Sequence, residues 1–120
     1  MTVKKVLVVD DSPIQLENIR NIVSSAGYQV ITADSGSLAV TKAFAEIPDI
    51  IFMDIVMDDL DGYGACREIL ANKATSEIPI FFVSTKNTRA DEMWSQRQGA
   101  KGLISKPFED SDILDEIKKY

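Results

Sequence analysis

The stretch Ile50-Ile51-Phe52-Met53-Asp54 is a short apolar run that ends in a carboxylate, and the apolar Ile55-Val56-Met57 follows it directly. An acidic side chain between two apolar runs is poorly explained as solvated surface. An apolar run of this length is typical of a strand that is buried on both faces of a parallel sheet. Open α/β sheets bind ligands in the crevice beyond the carboxyl ends of their strands, and we expect Asp54 to lie there.

Three other apolar runs end in polar residues in the same way. Residues 6–9 lead into Asp10-Asp11, residues 80–83 lead into Ser84-Thr85, and residues 103–104 lead into Ser105-Lys106-Pro107. Because the carboxyl ends of parallel strands meet at one edge of a sheet, we expect these polar side chains to lie together. The sequence therefore predicts one site that contains three acids, a hydroxyl and a lysine.

Helical patterns separate the apolar runs. The first helix opens at Ser12-Pro13, an N-cap followed by proline at the first helical position, and Gly27 ends it. A strand is predicted from Tyr28 to Ala33, and the fourth strand is predicted to start at Pro79. Apolar residues at helical spacing mark the later helices at Val40, Ala43, Phe44 and Ile47, at Cys66, Ile69 and Leu70, at Ala90, Met93 and Trp94, and at Ile113, Leu114 and Ile117. Alternating strands and helices predict one α/β domain over residues 1–120, a doubly wound five-stranded parallel sheet with helices on both faces.

The composition excludes several classes of function. The chain has 120 residues, a net charge of −6, one cysteine and no histidine. Acidic surface argues against nucleic acid or an anionic membrane as partner, and the lack of histidine excludes Ser-His-Asp and Cys-His catalysis. No run approaches the roughly 18 apolar residues of a membrane helix, and the first strand begins too early for a signal peptide. We expect a cytoplasmic protein that does not insert into membranes, and a monomer because no pattern predicts dimerisation.

The predicted site suits phosphoryl chemistry. Asp10, Asp11 and Asp54 would repel one another unless a cation or a proton compensates their charge. Oxygen ligands without histidine or thiolate favour Mg²⁺, with Mn²⁺ or Ca²⁺ as other hard cations. Together with Lys106 and the hydroxyl of Ser84, a cation would stabilise a phosphoryl group transferred to the carboxylate of Asp54.

With these acids, this hydroxyl and this lysine at its strand ends, the chain resembles the receiver domains of two-component response regulators, of the single-domain CheY-like type. The stretch 6–12 is similar to the family's acidic first loop, 51–57 to its phosphoacceptor strand, and Asp61-Gly62-Tyr63 to the turn after that strand. Ser84 stands at the family's switch hydroxyl, and Lys106-Pro107-Phe108 at its lysine and following proline. The resemblance covers nearly the whole chain and implies the flavodoxin-like strand order 2-1-3-4-5.

The resemblance also implies a role for each matched residue. Asp54 would accept a phosphoryl group from a histidine kinase or a phosphotransfer domain. Asp11 and Asp54 would ligate Mg²⁺ directly, Asp10 mainly through water, and the backbone carbonyl of Val56 would complete the protein ligands; Mn²⁺ would be an acceptable substitute. Ser84 and Lys106 would bind phosphoryl oxygens, with Thr85 beside them, and the Lys106-Pro107 peptide would be cis. A downstream protein would bind the face made by helix 4, strand 5 and helix 5.

Leu103, Thr85 and Asp58 depart from the family's usual pattern, in which the position of Asp58 is often proline. Leu103 stands where the family often has an aromatic residue that moves inward on activation. Thr85 is larger than the usual Ala or Gly. Val56 cannot orient water by hydrogen bonding. We predict that Val56 and Thr85 together make self-dephosphorylation slow.

Several functions stay open beside that of a phosphorylation switch. The stretch Trp94-Ser95-Gln96-Arg97-Gln98-Gly99-Ala100 is similar to regulators of type IV pilus twitching motility, the PilH-like group, so the pathway is pilus motility or chemotaxis-type signalling. Such a chain could instead drain phosphate from its kinase, or act as an interaction module that takes no phosphate. An aspartate-nucleophile phosphatase needs an acid at position 56, and a flavin binder would not place two acids after its first strand. We therefore do not expect an enzyme.

Overall fold

The computed structural model describes residues 2–120. Within that range, five parallel strands lie in the order β2-β1-β3-β4-β5. The elements are β1 (Lys5–Val9), α1 (Pro13–Ser25), β2 (Gln29–Ala33), α2 (Gly36–Glu46), β3 (Ile50–Met53), α3 (Gly62–Ala71), β4 (Ile80–Ser84), α4 (Arg89–Arg97), β5 (Gly102–Ser105) and α5 (Asp110–Lys118). The predicted α/β class, the doubly wound parallel sheet and the strand order are confirmed.

Apolar side chains form one core cluster on each face of the sheet. On one face α2 and α3 contribute Val40 and Ile69, among others. On the other face α1 and α5 contribute Ile19 and Ile113, among others. All four residues of β3 are buried, as expected for a central strand that is covered on both faces. Because the faces are covered, the polar groups that follow the strands reach solvent only at the ends of the sheet.

Side-chain caps fix where four of the helices begin. Ser12, Ser35, Asp61 and Thr88 each accept a hydrogen bond from the backbone N–H three residues later. Each cap satisfies one of the N–H groups that the first turn of a helix leaves unpaired. The predicted start of the first helix at Ser12-Pro13 is therefore confirmed.

Two predicted strand starts shift by one residue. Strand β2 begins at Gln29 and not at Tyr28, because the N–H of Tyr28 donates to the carbonyl of Val23 and closes the end of α1. Strand β4 begins at Ile80 and not at Pro79, since proline has no N–H to donate to a sheet ladder. Both shifts leave the carboxyl ends of the strands, where the predicted site lies, unchanged.

Helix α4 packs differently from the apolar pattern that predicted it. Met93 is 58% exposed and Trp94 is 49% exposed, whereas the polar Asp91 and Ser95 are buried. The prediction of a helix is confirmed, and the apolar residues that marked it lie on its exposed side. Among residues 2–120, no helix combines the length and the apolar character that a membrane crossing requires.

Candidate functional site

The carboxyl edge of the sheet brings together side chains from three different strand ends. Asp10 follows β1, Asp54 follows β3 and Lys106 follows β5. The ammonium of Lys106 lies 2.8 Å from Oδ2 of Asp10 and 3.3 Å from Oδ2 of Asp54. The side chains of Lys106, Asp10 and Asp54 are 11%, 2% and 14% exposed, respectively. The lysine therefore joins two carboxylates that have little water around them.

Backbone N–H groups hold both carboxylates in place. Oδ1 of Asp10 accepts a hydrogen bond of 2.9 Å from the N–H of Ser12, the residue that caps α1. Oδ1 of Asp54 accepts a hydrogen bond of 2.7 Å from the N–H of Ile55. Each carboxylate thus has one oxygen fixed by the main chain and the other directed to Lys106.

The ionisation of Lys106 follows from this geometry. Burial favours the neutral amine and so lowers the pKa of Lys106. The hydrogen bond to Asp10 and the negative charges of Asp54 and Asp10 act in the other direction and outweigh burial, so the pKa is raised overall. Lys106 is therefore a fixed positive charge at neutral pH.

A third carboxylate completes an acidic cluster. Asp10, Asp11 and Asp54 each offer an oxygen atom, and these three oxygens lie within 4.8 Å of one another. Desolvation, followed by the charges of Asp10, Asp58 and Asp54, raises the pKa of Asp11. One ammonium does not neutralise three carboxylates, so the site carries excess negative charge. Its all-oxygen donor set fits a hard divalent cation such as Mg²⁺.

The ends of β4 and β5 supply the hydroxyl groups of the site. Ser84 is 1% exposed and lies opposite Ser105 in the parallel register. The N–H of Lys106 donates to the carbonyl of Ser84 at 3.0 Å, so the serine and the lysine are fixed relative to each other. Thr85 is exposed and lies beside Lys106 at a shallow cavity of about 350 Å³.

The response regulator receiver domain family matches residues 6–118, which is nearly the whole chain. The chain belongs to this family. The match includes every residue of the acidic cluster, together with Ser84 and Lys106.

Individual relatives agree with the family assignment. This receiver domain is 37% identical to protein PilH of Pseudomonas aeruginosa over 113 residues, 94% of this chain and 93% of PilH. The receiver domain of the sensor histidine kinase PA1611 from Pseudomonas aeruginosa PAO1, solved with a magnesium ion in its active site cleft, has a TM-score of 0.91 and 28% identity. The superposition covers 99% of this chain and 98% of the PA1611 receiver domain chain. A chain of the CheX–CheY–BeF3–Mg complex from Borrelia burgdorferi has a TM-score of 0.90 and 27% identity, covering 97% of this chain and 87% of its own.

The remaining predicted positions of the receiver domain lie around the cluster. The Lys106-Pro107 peptide is cis. Val56 is 62% exposed in the loop that follows Asp54. Leu103 is half-buried, lies opposite Phe82 in the β4–β5 register and packs against the core cluster on the α2 and α3 face.

The loop after Asp54 depends on a glycine. The N–H of Gly62 donates to the carbonyl of Ile55 at 2.7 Å, which draws the start of α3 against the strand end. A Cβ atom at position 62 would lie 2.2 Å from the carbonyl oxygen of Asp54, so no larger residue fits without displacing the loop. The sequence pattern placed Asp61 in the turn after the predicted acceptor strand and gave its side chain no role. In the structure its carboxylate caps α3 by accepting from the N–H of Gly64 at 2.8 Å.

Sequence reasoning also missed a polar cluster between β4 and α4. The N–H of Lys86 donates to Oγ of Ser84 at 3.1 Å, and the ammonium of Lys86 lies 2.7 Å from Oδ1 of Asp91. Oδ2 of Asp91 accepts from both the N–H and the hydroxyl of Thr88, which caps α4. The spacing Thr-x-x-Asp at the helix start was the available signal, since it is typical of a capping box. This cluster connects the hydroxyl of the site to α4.

Proposed function

We propose that this receiver domain is a stand-alone phosphorylation switch whose phosphoacceptor is Asp54. The observation that carries the proposal is the contact of Lys106 with both Asp10 and Asp54 beside a third carboxylate, Asp11. The donor is the phosphohistidine of a histidine kinase or a phosphotransfer domain, because this chain has no histidine of its own. It catalyses nothing beyond its own phosphorylation and dephosphorylation.

The transfer forms one bond and breaks one bond. A carboxylate oxygen of Asp54 attacks the phosphorus, and the new O–P bond forms as the N–P bond to the donor imidazole breaks. The imidazole nitrogen keeps the electron pair of that bond and takes up a proton from solvent. The ammonium of Lys106 then donates to a phosphoryl oxygen and offsets part of its charge.

Ser84 is oriented for a donating role. Its oxygen accepts from the N–H of Lys86, and a serine hydroxyl that accepts one hydrogen bond still has its own hydrogen to donate. Ser84 donates that hydrogen to a second phosphoryl oxygen. Because Ser84 is fixed to Lys106 through the β4–β5 pairing, the two donors reach the phosphoryl group as one unit.

The acidic residues hold the cofactor of this reaction, Mg²⁺, for which Mn²⁺ can substitute. Asp10 is 2% exposed and lies 2.8 Å from the ammonium of Lys106, whereas Asp54 is 14% exposed and lies 3.3 Å from it, which favours Asp11 and Asp54 as direct ligands and Asp10 as a ligand through water. The backbone carbonyl of Val56 is the remaining protein ligand. When bound, Mg²⁺ neutralises charge on the phosphoryl oxygens. The magnesium in the active site cleft of the PA1611 receiver domain supports this assignment.

The output is a change in the binding of a downstream protein at the face formed by α4, β5 and α5. The complex of CheX with CheY in Borrelia burgdorferi supports a protein partner of this kind. Identity to PilH over nearly the whole of both chains supports a role in pilus-linked twitching motility. Leu103, which stands on β5 within that face, offers neither a ring nor a hydroxyl to the switch.

Intact-protein mass spectrometry tests the acceptor. The chain is incubated with Mg²⁺ and either a small phosphoryl donor or a phosphorylated histidine kinase, beside the variant Asp54→Asn. We expect the wild type to gain one phosphoryl group and the variant to gain none, and we expect removal of Mg²⁺ to abolish the gain. A wild type that stays unmodified by the phosphorylated kinase would contradict the proposal.

The lifetime of the phosphoryl group tests the roles of Val56 and Thr85. An apolar Val56 cannot align an attacking water, and Thr85 narrows the approach beside Lys106. We therefore expect the double variant Val56→Asn, Thr85→Ala to lose its phosphoryl group faster than wild type. The decay is followed by mass spectrometry after the donor is removed. An unchanged lifetime would show that these two side chains do not control access of water.

A further inference from the structure

The two edge strands of the sheet differ in how their free sides are covered. At the edge of β2, the ammonium of Lys42 donates to the carbonyl of Thr32, so a side chain covers part of that edge. Strand β5 forms the other edge. Within residues 2–120, it pairs with β4 alone and no side chain hydrogen-bonds to its backbone. Natural sheets usually protect an exposed edge by charged residues, proline or a covering element. Gly102–Ser105 contain neither a charge nor a proline, so only the shortness of β5 limits what pairs with it.

Backbone groups on the free side of β5 are available to a further strand. The N–H of Lys106 donates at 3.0 Å to the carbonyl of Ser84, whose partner in the register is Ser105. Backbone polar groups alternate between the two sides of a strand in a parallel ladder, so those of Leu103 and Ser105 are directed away from β4. Ser105 is exposed and Leu103 is half-buried, so this side of the strand reaches solvent. An edge this short suits weak and reversible pairing.

A groove of about 560 Å³ lies beside this edge, between β5 and α5. The residues that line it from the strand include the apolar Leu103 and Ile104. The charged residues that line it from α5 and the C-cap of that helix are three acids and one lysine: Asp112, Asp115, Glu116 and Lys119. An open strand edge therefore adjoins a groove with net negative charge.

The acids of this groove are accessible to a cationic partner. The side chain of Asp115 is 66% exposed, and the ammonium of Lys118 lies 3.9 Å from it. Glu116 pairs at 2.9 Å with Lys119, which is 63% exposed. Exposed pairs of this kind contribute little to stability, so an incoming ammonium or guanidinium competes for either acid. A second copy of this chain would instead bring a second negative groove to the contact, and like charges would oppose the pairing.

Strand β5 also connects its free edge to the acidic cluster. Lys106 is the residue that follows the strand, and its ammonium contacts Asp10 and Asp54. A phosphoryl group on Asp54 would give this ammonium a new acceptor next to the end of β5. The free edge therefore lies where the state of Asp54 can alter what binds to it.

We propose that the downstream partner binds through an extended basic segment that pairs with the free edge of β5 as a sixth strand. The backbone of the segment bonds to that of Leu103 and Ser105, and its Lys or Arg side chains enter the acidic groove beside α5. The charges select a cationic segment over an acidic one. This inference rests on the proposed function, in which the face of α4, β5 and α5 binds the downstream protein.

The probe is a synthetic peptide of about six residues, the length of a typical strand, in which valine and lysine alternate. One control peptide has glutamate in place of lysine, and the other is N-methylated at alternate residues, which removes the N–H donors of one side. Wild-type protein labelled with ¹⁵N is titrated with each peptide, both in the resting state and loaded with Mg²⁺ and beryllofluoride. Chemical shifts and exchange rates of the backbone amides are recorded by NMR.

The lysine peptide should give saturable shifts at residues 102–105 and should slow the exchange of the Leu103 and Ser105 amides. The N-methylated peptide should bind at least about tenfold more weakly, as expected for the loss of two hydrogen bonds. The glutamate peptide should give no saturable shift at β5. Equal binding of the lysine peptide and either control would overturn the inference.

A pair of variants tests the acidic groove. Asp115→Asn removes an exposed acid beside β5 and should weaken binding of the lysine peptide about two- to fivefold. Asp34→Asn removes an exposed acid that follows β2, the opposite edge strand, and should bind the peptide like wild type. Equal affinities of the two variants would overturn the role of the groove. Protection of the Leu103 and Ser105 amides without peptide, lost on dilution, would mean that a second copy covers the edge, and would overturn the inference.

The outcomes separate this inference from the proposed function. The affinity for the lysine peptide should differ by about fivefold or more between the resting and the beryllofluoride-loaded protein. Phosphoryl uptake at Asp54 with equal affinities in the two states, or with no saturable shift at β5, would overturn the inference alone. Peptide pairing at β5 in a chain that takes up no phosphoryl group would overturn the proposed function and leave the edge as a binding surface.

Discussion

Helices α1 and α4 lie beside the same site but are held in opposite ways. Helix α1 buries Ile19 and Val23 in a core cluster at 1% exposure or less. Helix α4 buries Asp91 and Ser95 and leaves Met93 in solvent. Apolar burial is non-directional and grows with area, whereas hydrogen bonds and ion pairs depend on particular partners.

This difference assigns the two helices different physical roles. An apolar interface has no alternative partner to exchange with, so α1 is a fixed support for Ser12 and the acidic loop before it. A polar interface can exchange one partner for another at little net change in free energy, because each exposed pair contributes modestly. Helix α4 has no such core interface, since Lys86 precedes the helix and the hydroxyl of Ser95 donates within it, and each prediction below tests one side of this contrast.

The largest expected effect is in the interface of α1. Ile19→Ala removes apolar atoms from a site that is 1% exposed and leaves a cavity, which should lower the free energy of unfolding by about 2–5 kcal/mol. Urea unfolding measures the change. The matched control is Ile14→Ala in the same helix, where the side chain is 82% exposed and the change should stay within about 0.5 kcal/mol. Equal losses in the two variants would contradict the assignment of α1 to the core.

A smaller loss is expected at the cap of α4. Thr88→Ala removes the acceptor for the N–H of Asp91 and should lower the free energy of unfolding by about 0.5–2 kcal/mol. Thr41→Ala is the control, because Thr41 lies inside α2, is exposed and donates only to the carbonyl of Ser37. If Thr88→Ala cost as much as Ile19→Ala, α4 would be part of the cooperative core and the contrast with α1 would fail.

The same contrast explains how much of the molecule the sequence could predict. Apolar runs that end in polar residues predicted where the strands lie, because a buried strand is a short and regular pattern. They also predicted that Asp10, Asp54 and Lys106 come together, because the carboxyl ends of parallel strands share one edge of the sheet. The buried face of α4 could not be predicted in this way. Its apolar residues point to solvent, and Asp91 is buried because of Lys86 and Thr88, which no periodicity reveals.

Ile47 and Tyr63 show the same limit. Ile47 ends α2 in a left-handed conformation with φ of 45°, which a β-branched residue rarely adopts and no pattern would assign to it. Tyr63 matched the family's turn after the acceptor strand, but the unpaired hydroxyl at its end depends on the packing of α3 against β4. Patterns of residues therefore predict elements and the faces that apolar side chains bury, whereas faces and contacts made by buried polar groups require coordinates.

The ion pair of α4 predicts a dependence on pH. The hydrogen bond from Lys86, followed by the backbone and side-chain hydrogen bonds from Thr88, lowers the pKa of Asp91 from 3.8 to about 2. A carboxylate with a lowered pKa in the folded state stabilises that state at pH values above its ordinary pKa. This stabilisation is lost as the pH falls toward the folded-state value.

Urea unfolding of wild type and Asp91→Asn checks this dependence. The difference between the two proteins should be largest at about pH 5 and should shrink as the pH falls through about 4 toward about 2. The effect should be smaller than the loss of the Thr88 cap, since Lys86 is half exposed and solvent screens its charge. A difference that stays constant over this range would show that Asp91 acts as a cap without any contribution from its charge.

The smallest expected effect is at Met93 on the outer face of α4. Met93→Gln keeps a residue of similar length and similar helix propensity, and at 58% exposure the methionine loses little burial on substitution. The free energy of unfolding should change by no more than about 0.5 kcal/mol, as for most surface positions. Urea unfolding at low and high protein concentration measures this change in the free energy of unfolding.

A loss above about 1 kcal/mol that disappears on dilution would mean that the apolar face of α4 is covered by a second copy of the chain. A loss that is independent of concentration would mean that α4 is held by apolar burial after all, as α1 is.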